Sequence, residues 1–295
     1  MILYTNGCSH SAGYELGTNS VWTRQLADTL WGDRNWNYFD VNEKLLDYSQ
    51  TDDLEKLENW NKYFTLNNTL VNQARPSKGN DSIYFESMDM IQRLILLDKK
   101  PDFVVIQWSG VNRKIFNLIS SLKQLNPYNI IGTSNAHDFT EMGLYLEPYA
   151  SKHTLQLMIS LQKFLKENNI EYVFIPYMEL YKSEWMVELE QLDLSRFTTD
   201  PFKGHRNEFR KKCLVVDIQG HPNFLGHDYL LQKILDMFGL GESWRGYQSY
   251  EEWVEYCKLC KKPKQRKLIQ YIKEYAYDLV DGTKAEIKNA MSKSI

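Results

Sequence analysis

Asn6-Gly7-Cys8-Ser9-His10-Ser11-Ala12-Gly13 follows directly on the apolar opening Met1-Ile2-Leu3-Tyr4-Thr5. An apolar run that breaks at a glycine, presents a small hydroxyl residue and leads into a helical pattern has the layout of a strand-to-helix turn in an α/β protein. Such a turn holds Ser9 at the carboxyl end of a strand and aims backbone N–H groups of the next turn at whatever Ser9 attacks. The plainer reading is that Ser9 only caps the following helix. The rest of the chain decides between them.

Outward from this turn, Val21 to Leu30 places apolar residues at helical spacing, so a helix follows. Residues 31 to 66 are rich in Asn, Asp, Trp and Tyr with weak periodicity. They read as an insertion over the sheet edge or over a site, whose aromatic residues pack a long loop onto the body or line a pocket. Leu66 to Val71 reads as a short strand. The loop from Gln73 to Ser82 is dense in turn formers, and Ser82 or Asp81 is placed to cap an amphipathic helix from Ile83 to Leu97.

Phe103 to Trp108 runs apolar in the manner of a strand buried on both faces, then breaks at Ser109-Gly110-Val111-Asn112-Arg113. A Pro/Asn/Gly-rich excursion over 126–150 precedes a strong helix from Ser151 to Glu167, and Ile170 to Pro176 supplies a further buried strand. Residues 177–212 read as irregular with short helices. Cys213 to Asp217 is a last short strand or an approach to Gly220-His221-Pro222-Asn223, and a helix from Leu225 to Phe238 follows. Strands alternating with helices of this length argue for a parallel sheet with helices on both faces, whose ligands bind outside the carboxyl ends of the strands. Every polar cluster of interest lies at such an end.

Composition narrows the classes. The 295 residues carry a formal net charge of -3, with 43% hydrophobic and 25% charged residues, as in an ordinary globular protein. Mild acidity supplies no global attraction to nucleic acid or an anionic membrane. The four cysteines, Cys8, Cys213, Cys257 and Cys260, are scattered and do not form the framework of a small secreted scaffold. Cys257 and Cys260 have the spacing of half a zinc site, but no second Cys or His pair lies near them in sequence, so no zinc or redox centre is expected there. The chain opens straight into a strand without a charged and apolar leader, and no apolar run is long enough to span a bilayer, so a cytoplasmic protein is expected. Past Gly239-Leu240-Gly241 the composition shifts to Lys, Tyr and Trp. The division read here is an α/β domain over 1–240 and a helical extension over 241–295, whose basic run from Lys258 to Lys267 is a solvated face rather than a nucleic-acid surface.

A serine hydroxyl is a poor nucleophile until a base takes its proton, and the anion formed on an attacked carbonyl needs fixed donors. The candidate base is His221, beside a proline that fixes its backbone. Asp217 lies just before it and is placed to orient the ring. Candidate oxyanion donors are the Ser9 N–H, the Gly79 N–H and the Asn112 side-chain amide. Asp81, Arg113 and Gln107 are further polar residues at the same end, while His227 reads as a cap or packing residue of the last helix and His10 as a residue near the pocket mouth.

These residues, in this order, resemble the SGNH or GDSL-type hydrolases. Ser9 behind Gly7 matches the first block, Gly79 the second, Asn112 behind Gly110 the third, and His221 with Pro222, Asn223 and Gly226 the last. The resemblance spans residues 1 to about 240. It implies a flavodoxin-like three-layer α/β/α fold and ester hydrolysis through an acyl-serine, with no metal or organic cofactor. It also implies a small acyl ester as substrate, such as an acetyl group on a carbohydrate. The chain departs from the pattern in three places. Cys8 stands where the family carries an aspartate, and is read as buried packing. The glycine block is stretched by Arg75-Pro76-Ser77-Lys78. Asp217 precedes His221 by one residue more than usual, so either a bulge keeps Asp217 beneath His221, or Asp200 serves, or a backbone carbonyl orients the ring.

Two other functions suit the same residues: a non-catalytic structural or binding module on this fold, and an O-acyltransferase using the same triad. The uneven Asn- and Tyr-rich insertions resemble those of phage-encoded members, for which association with a virion is the alternative location. Oligomeric state is not encoded in any motif.

Overall fold

The computed structural model describes residues 1–12, 21–32, 36–41, 64, 68–76, 78–111, 114–115, 130–131, 147–181, 187–211 and 221–240. Five strands form one parallel sheet: β1 (Ile2–Asn6), β2 (Asn37–Asp40), β3 (Thr69–Asn72), β4 (Phe103–Trp108) and β7 (Glu171–Pro176). Their spatial order is β2-β3-β1-β4-β7, which makes β1 the central strand. Tyr4 stands opposite Val71 on one side and Val104 on the other, and Val104 stands opposite Tyr172. Lys114–Ile115 (β5) and Ile130–Ile131 (β6) pair separately and antiparallel.

Alternation along the strands sorts side chains onto two faces. Ile2, Tyr4, Val71, Val104, Ile106, Tyr172 and Phe174 pack beneath α3 (Asn80–Leu96) and α4 (Glu147–Glu167), meeting Ile83, Met90, Ile91, Leu94, Leu155, Met158 and Leu161. Leu3, Leu70, Val105, Val173 and Ile175 pack on the other face against Trp22 and Leu26 of α2 (Trp22–Trp31) and Leu230, Leu231, Ile234 and Leu235 of α6 (Phe224–Met237). Two short helices, α1 (Ser9–Ala12) and α5 (Arg206–Lys211), stand at the strand ends. Each buried Leu, Ile or Phe contributes roughly 1.5–3 kcal/mol relative to exposure, so two independent apolar faces suffice to fix a three-layer α/β/α fold. With β2 set aside as an addition at the edge, the order β3-β1-β4-β7 is the flavodoxin-like one.

The structure amends the sequence reading in three places. The stretch 31–66 is not only an insertion, since it contributes β2. Only Phe39 of its four residues is buried, and an edge strand so short leaves no alternation to read. Helix α3 starts at Asn80 with Gly79 as its N-cap and no side-chain cap, so neither Asp81 nor Ser82 has the capping role expected of it. The excursion over 126–150 holds β6 and the first turn of α4. The expectations for Cys213 to Asp217 and for the helical extension 241–295 lie outside the described residues. Among the described residues no helix is long and apolar enough to cross a membrane.

Candidate active site at the carboxyl end of the sheet

Beyond β1 the chain turns sharply. The Asn6 side-chain oxygen accepts the Gly7 N–H at 2.8 Å, and the Cys8 carbonyl accepts the N–H groups of Ser11 and Ala12 at 3.0 and 3.1 Å. A β-carbon on Gly7 would stand 2.7 Å from Ser11 Oγ and 2.9 Å from Gln107 Cβ, so the turn passes β4 at a distance that only glycine allows. Ser11 Oγ donates to Gln107 Oε1 across the same gap. Cys8 is fully buried, as packing rather than as an exposed thiol.

Ser9 thereby projects from the end of the central strand, and His221 meets it from the approach to α6. His221 Nε2 lies 2.8 Å from Ser9 Oγ, although the two are 212 residues apart. Ser9 Oγ–H donates to Nε2 when the neutral imidazole carries its proton on Nδ1. The Asn223 side chain accepts the Gly226 N–H at 2.9 Å and caps α6, which fixes the segment carrying His221. Serine and histidine are 5% and 3% exposed, so bulk water does not compete for their hydrogen bond. A hydroxyl so placed can pass its proton to the ring as it attacks an electrophile.

His227, one turn into α6, does not cap its own helix as one reading had it. Its Nδ1 accepts the Trp22 N–H of α2 at 3.3 Å, where the N-cap Val21 offers no side-chain acceptor. Burial, with the nearby His221 adding to it, pushes its imidazole down to about 3. It is therefore a neutral acceptor that ties α2 to α6 behind His221.

The loops after β3 and β4 come to the same end. Gly79 is buried at the start of α3, and the next residue laces the two loops together. Asn80 accepts the Ser109 N–H at 2.7 Å and donates to the Ser109 carbonyl at 3.1 Å and to Thr154 Oγ1 at 3.2 Å. Arg75 N–H donates to the Gly7 carbonyl at 3.2 Å, so the second loop also grips the first. Asn112, Arg113, Asp217 and the His10 side chain lie outside the described residues. The alternative acid, Asp200, accepts the Phe202 N–H at 2.9 Å within a tight turn. Gln107 is buried and serves Ser11, while Asp81 pairs with the half-exposed His153 at 2.6 Å at the head of α3. Among the described residues no group of His, Cys, Asp and Glu is arranged to hold a metal ion.

Sequence reasoning passed over Lys78, Glu86, Ser87, Asn80 and Asn6, which build the polar floor under the site. One signal was present. Ser87 interrupts the apolar stripe Ile83, Met90, Ile91, Leu94 of α3, and a polar residue on a buried stripe demands a partner.

No family model matches the chain, and no curated protein matches it. Among solved structures, it is similar to an acetyl-xylooligosaccharide esterase from Geobacillus, with 14% identity over 83% of this chain and 97% of that one and a TM-score of 0.40. It is also similar to TesA, with 13% identity over 81% of this chain and 98% of the other and a TM-score of 0.38. A third is the esterase EstA from Pseudoalteromonas sp., with 12% identity over 81% and 96% of the two chains and a TM-score of 0.38.

Proposed function

We propose that the chain is a serine esterase of SGNH type that removes a small acyl group, such as acetyl on a carbohydrate, through an acyl-serine intermediate. The observation that carries this reading is the 2.8 Å contact between Ser9 Oγ and His221 Nε2 at the carboxyl end of the central strand. The order of the four sequence blocks supports it independently.

In this mechanism Ser9 Oγ bonds to the ester carbonyl carbon while its proton passes to His221 Nε2. The tetrahedral oxyanion is held by the N–H groups of Ser9 and Gly79 and by the Asn112 amide. The bond to the alcohol then breaks, and His221 returns the proton to the departing oxygen. Water, deprotonated by the same imidazole, attacks the acyl-serine and frees the acid. Asp217 orients the ring and stabilises the imidazolium. No metal or organic cofactor enters these steps.

A fluorophosphonate probe read by intact mass tests the proposal. One adduct on the wild type, absent from Ser9→Ala and His221→Ala, is the expected result. A folded wild-type protein that takes no label would overturn it in favour of a non-catalytic module.

A further inference from the structure

Beneath the turn that carries Ser9 lies a buried cation. Lys78 is fully buried, and its Nζ donates to Asn6 Oδ1 at 2.8 Å and to the Gln73 carbonyl, and pairs with Glu86 Oε2 at 2.5 Å. The same Asn6 oxygen accepts the Gly7 N–H at 2.8 Å. Asn6 Nδ2 donates in turn to Ser87 Oγ at 2.9 Å and to the Ile83 carbonyl at 3.2 Å. The Tyr4 hydroxyl closes the network on Gln73 Oε1 at 2.7 Å, and burial holds that phenol well above its ordinary pKa and hence neutral.

An ion pair is an expensive way to fill such a space, because an apolar side chain of similar volume serves packing as well or better. What the pair does supply is position. Lys78 reaches Gly7 through one shared oxygen, and it is joined by a peptide bond to Gly79. We propose that Lys78 is a positioning residue for acyl transfer, its ammonium fixing the Gly7-Cys8-Ser9 turn through Asn6 and the Gly79 loop through its own backbone. The proposal rests on the esterase reading above. A single charge thus sets the distance between nucleophile and oxyanion donors, and its loss loosens both sides at once.

The charge is also poised to titrate. Burial pushes the ammonium down to about 8, against the pull of Glu86, which raises it. Around it stand Glu86 from α3, Arg75 from its own loop, Asp40 from β2 and the neutral Tyr4 from β1; Arg75 lowers the value and Asp40 raises it. Arg75 shares Glu86 at 2.8 Å. As pH rises through about 8 the ammonium becomes an amine, and the Glu86 ion pair and one donor are lost. Activity therefore falls on the alkaline side. Arginine at this position stays charged, so its alkaline limb moves up. Removal of the Glu86 carboxylate moves the limb down.

The test follows p-nitrophenyl acetate hydrolysis and fluorophosphonate labelling rate from about pH 6 to about pH 10 in the full-length wild type, Lys78→Met, Lys78→Arg and Glu86→Gln. In Lys78→Met, kcat is expected to fall roughly 10–100-fold with little change in KM, as for a misplaced reacting group, and the descent near pH 8 to disappear. Should Lys78→Met not fold, the wild-type profile and the opposite displacements in Lys78→Arg and Glu86→Gln decide. A folded Lys78→Met with wild-type kcat, or Lys78→Arg and Glu86→Gln whose alkaline limbs coincide with the wild-type one, overturns the proposal. Absence of any labelling in wild type strikes the esterase reading itself, whereas labelling with unaltered variants strikes only Lys78.

Discussion

Among the described residues two histidines meet a hydroxyl at the same distance, and we propose a catalytic role for only one of them. His221 Nε2 is 2.8 Å from Ser9 Oγ, and His205 Nε2 is 2.8 Å from Thr198 Oγ1. Both rings are buried, and both precede a helix. The surroundings differ. His205 donates its backbone N–H to the carbonyls of Pro176 and Tyr177, and its ring sits among Phe209 and Tyr229 at centroid distances of 5.5 and 6.1 Å. Thr198 donates its N–H to Phe174 at 3.0 Å and so extends the sheet edge. Ser9 instead stands at the end of the central strand, where the loops after β3 and β4 converge. A hydroxyl–imidazole bond is therefore not a signature by itself; what sets the Ser9 pair apart is its place at the carboxyl end of the central strand, beside the loops after β3 and β4.

The largest effect should separate the two pairs outright. Ser9→Ala or His221→Ala is expected to lower kcat on p-nitrophenyl acetate by at least about 10³-fold while leaving the fold intact by circular dichroism. Thr198→Val should instead keep activity within about threefold and lower stability by about 1–2 kcal/mol, the usual worth of a buried hydrogen bond, read as a shifted urea midpoint. Loss of activity in Thr198→Val would erase the distinction. Gly7→Ala comes next. Its β-carbon has no room beside Ser11 and Gln107, so stability should fall by about 1–3 kcal/mol, and labelling of Ser9 should be lost even in the folded fraction.

Acid sharpens the comparison from the structural side. Burial drives His205 down to about 4 and His227 to about 3, from 6.5. The unfolded chain thus binds more protons than the native one, and stability present above pH 6.5 is lost as pH falls toward 4 for His205 and toward 3 for His227. Urea midpoints should decline over that window, and His205→Gln, which keeps a donor for Thr198, should flatten part of the decline; an unchanged slope would contradict a buried neutral ring. The smallest effect belongs to a third, half-exposed histidine. Asp81→Asn weakens the pair with His153 and should cost no more than about 1 kcal/mol, measurable as a small change in thermal midpoint with kcat retained.

Much of this was legible in the sequence. The runs Ile2–Tyr4, Phe103–Trp108 and Ile170–Pro176 each announce a buried parallel strand because both their faces are apolar, and the structure has β1, β4 and β7 there. The breaks after β1 and before α6 pointed to Ser9 and His221, which the fold brings together. Strand β2 was hidden because Asn37-Tyr38-Phe39-Asp40 buries a single side chain and borrows its order from β3. Lys78 was hidden for a different reason. A lysine in a loop of turn formers is ordinarily solvated, and nothing within residues 73–82 reveals that Asn6, distant in sequence, and Glu86, in the helix that follows, converge on it. Long-range polar networks have no period, and periodicity is what a single sequence displays.

The separation of 212 positions from Ser9 to His221 also sets a clock. At roughly 5–20 residues per second, a ribosome takes on the order of 10–40 s to pass from one to the other. Throughout that interval the nascent chain carries a serine without its partner imidazole, which on the proposed mechanism leaves it without a base. On that mechanism reactivity arrives only when the segment leading into α6 docks, which would make ester turnover a late reporter of completed folding.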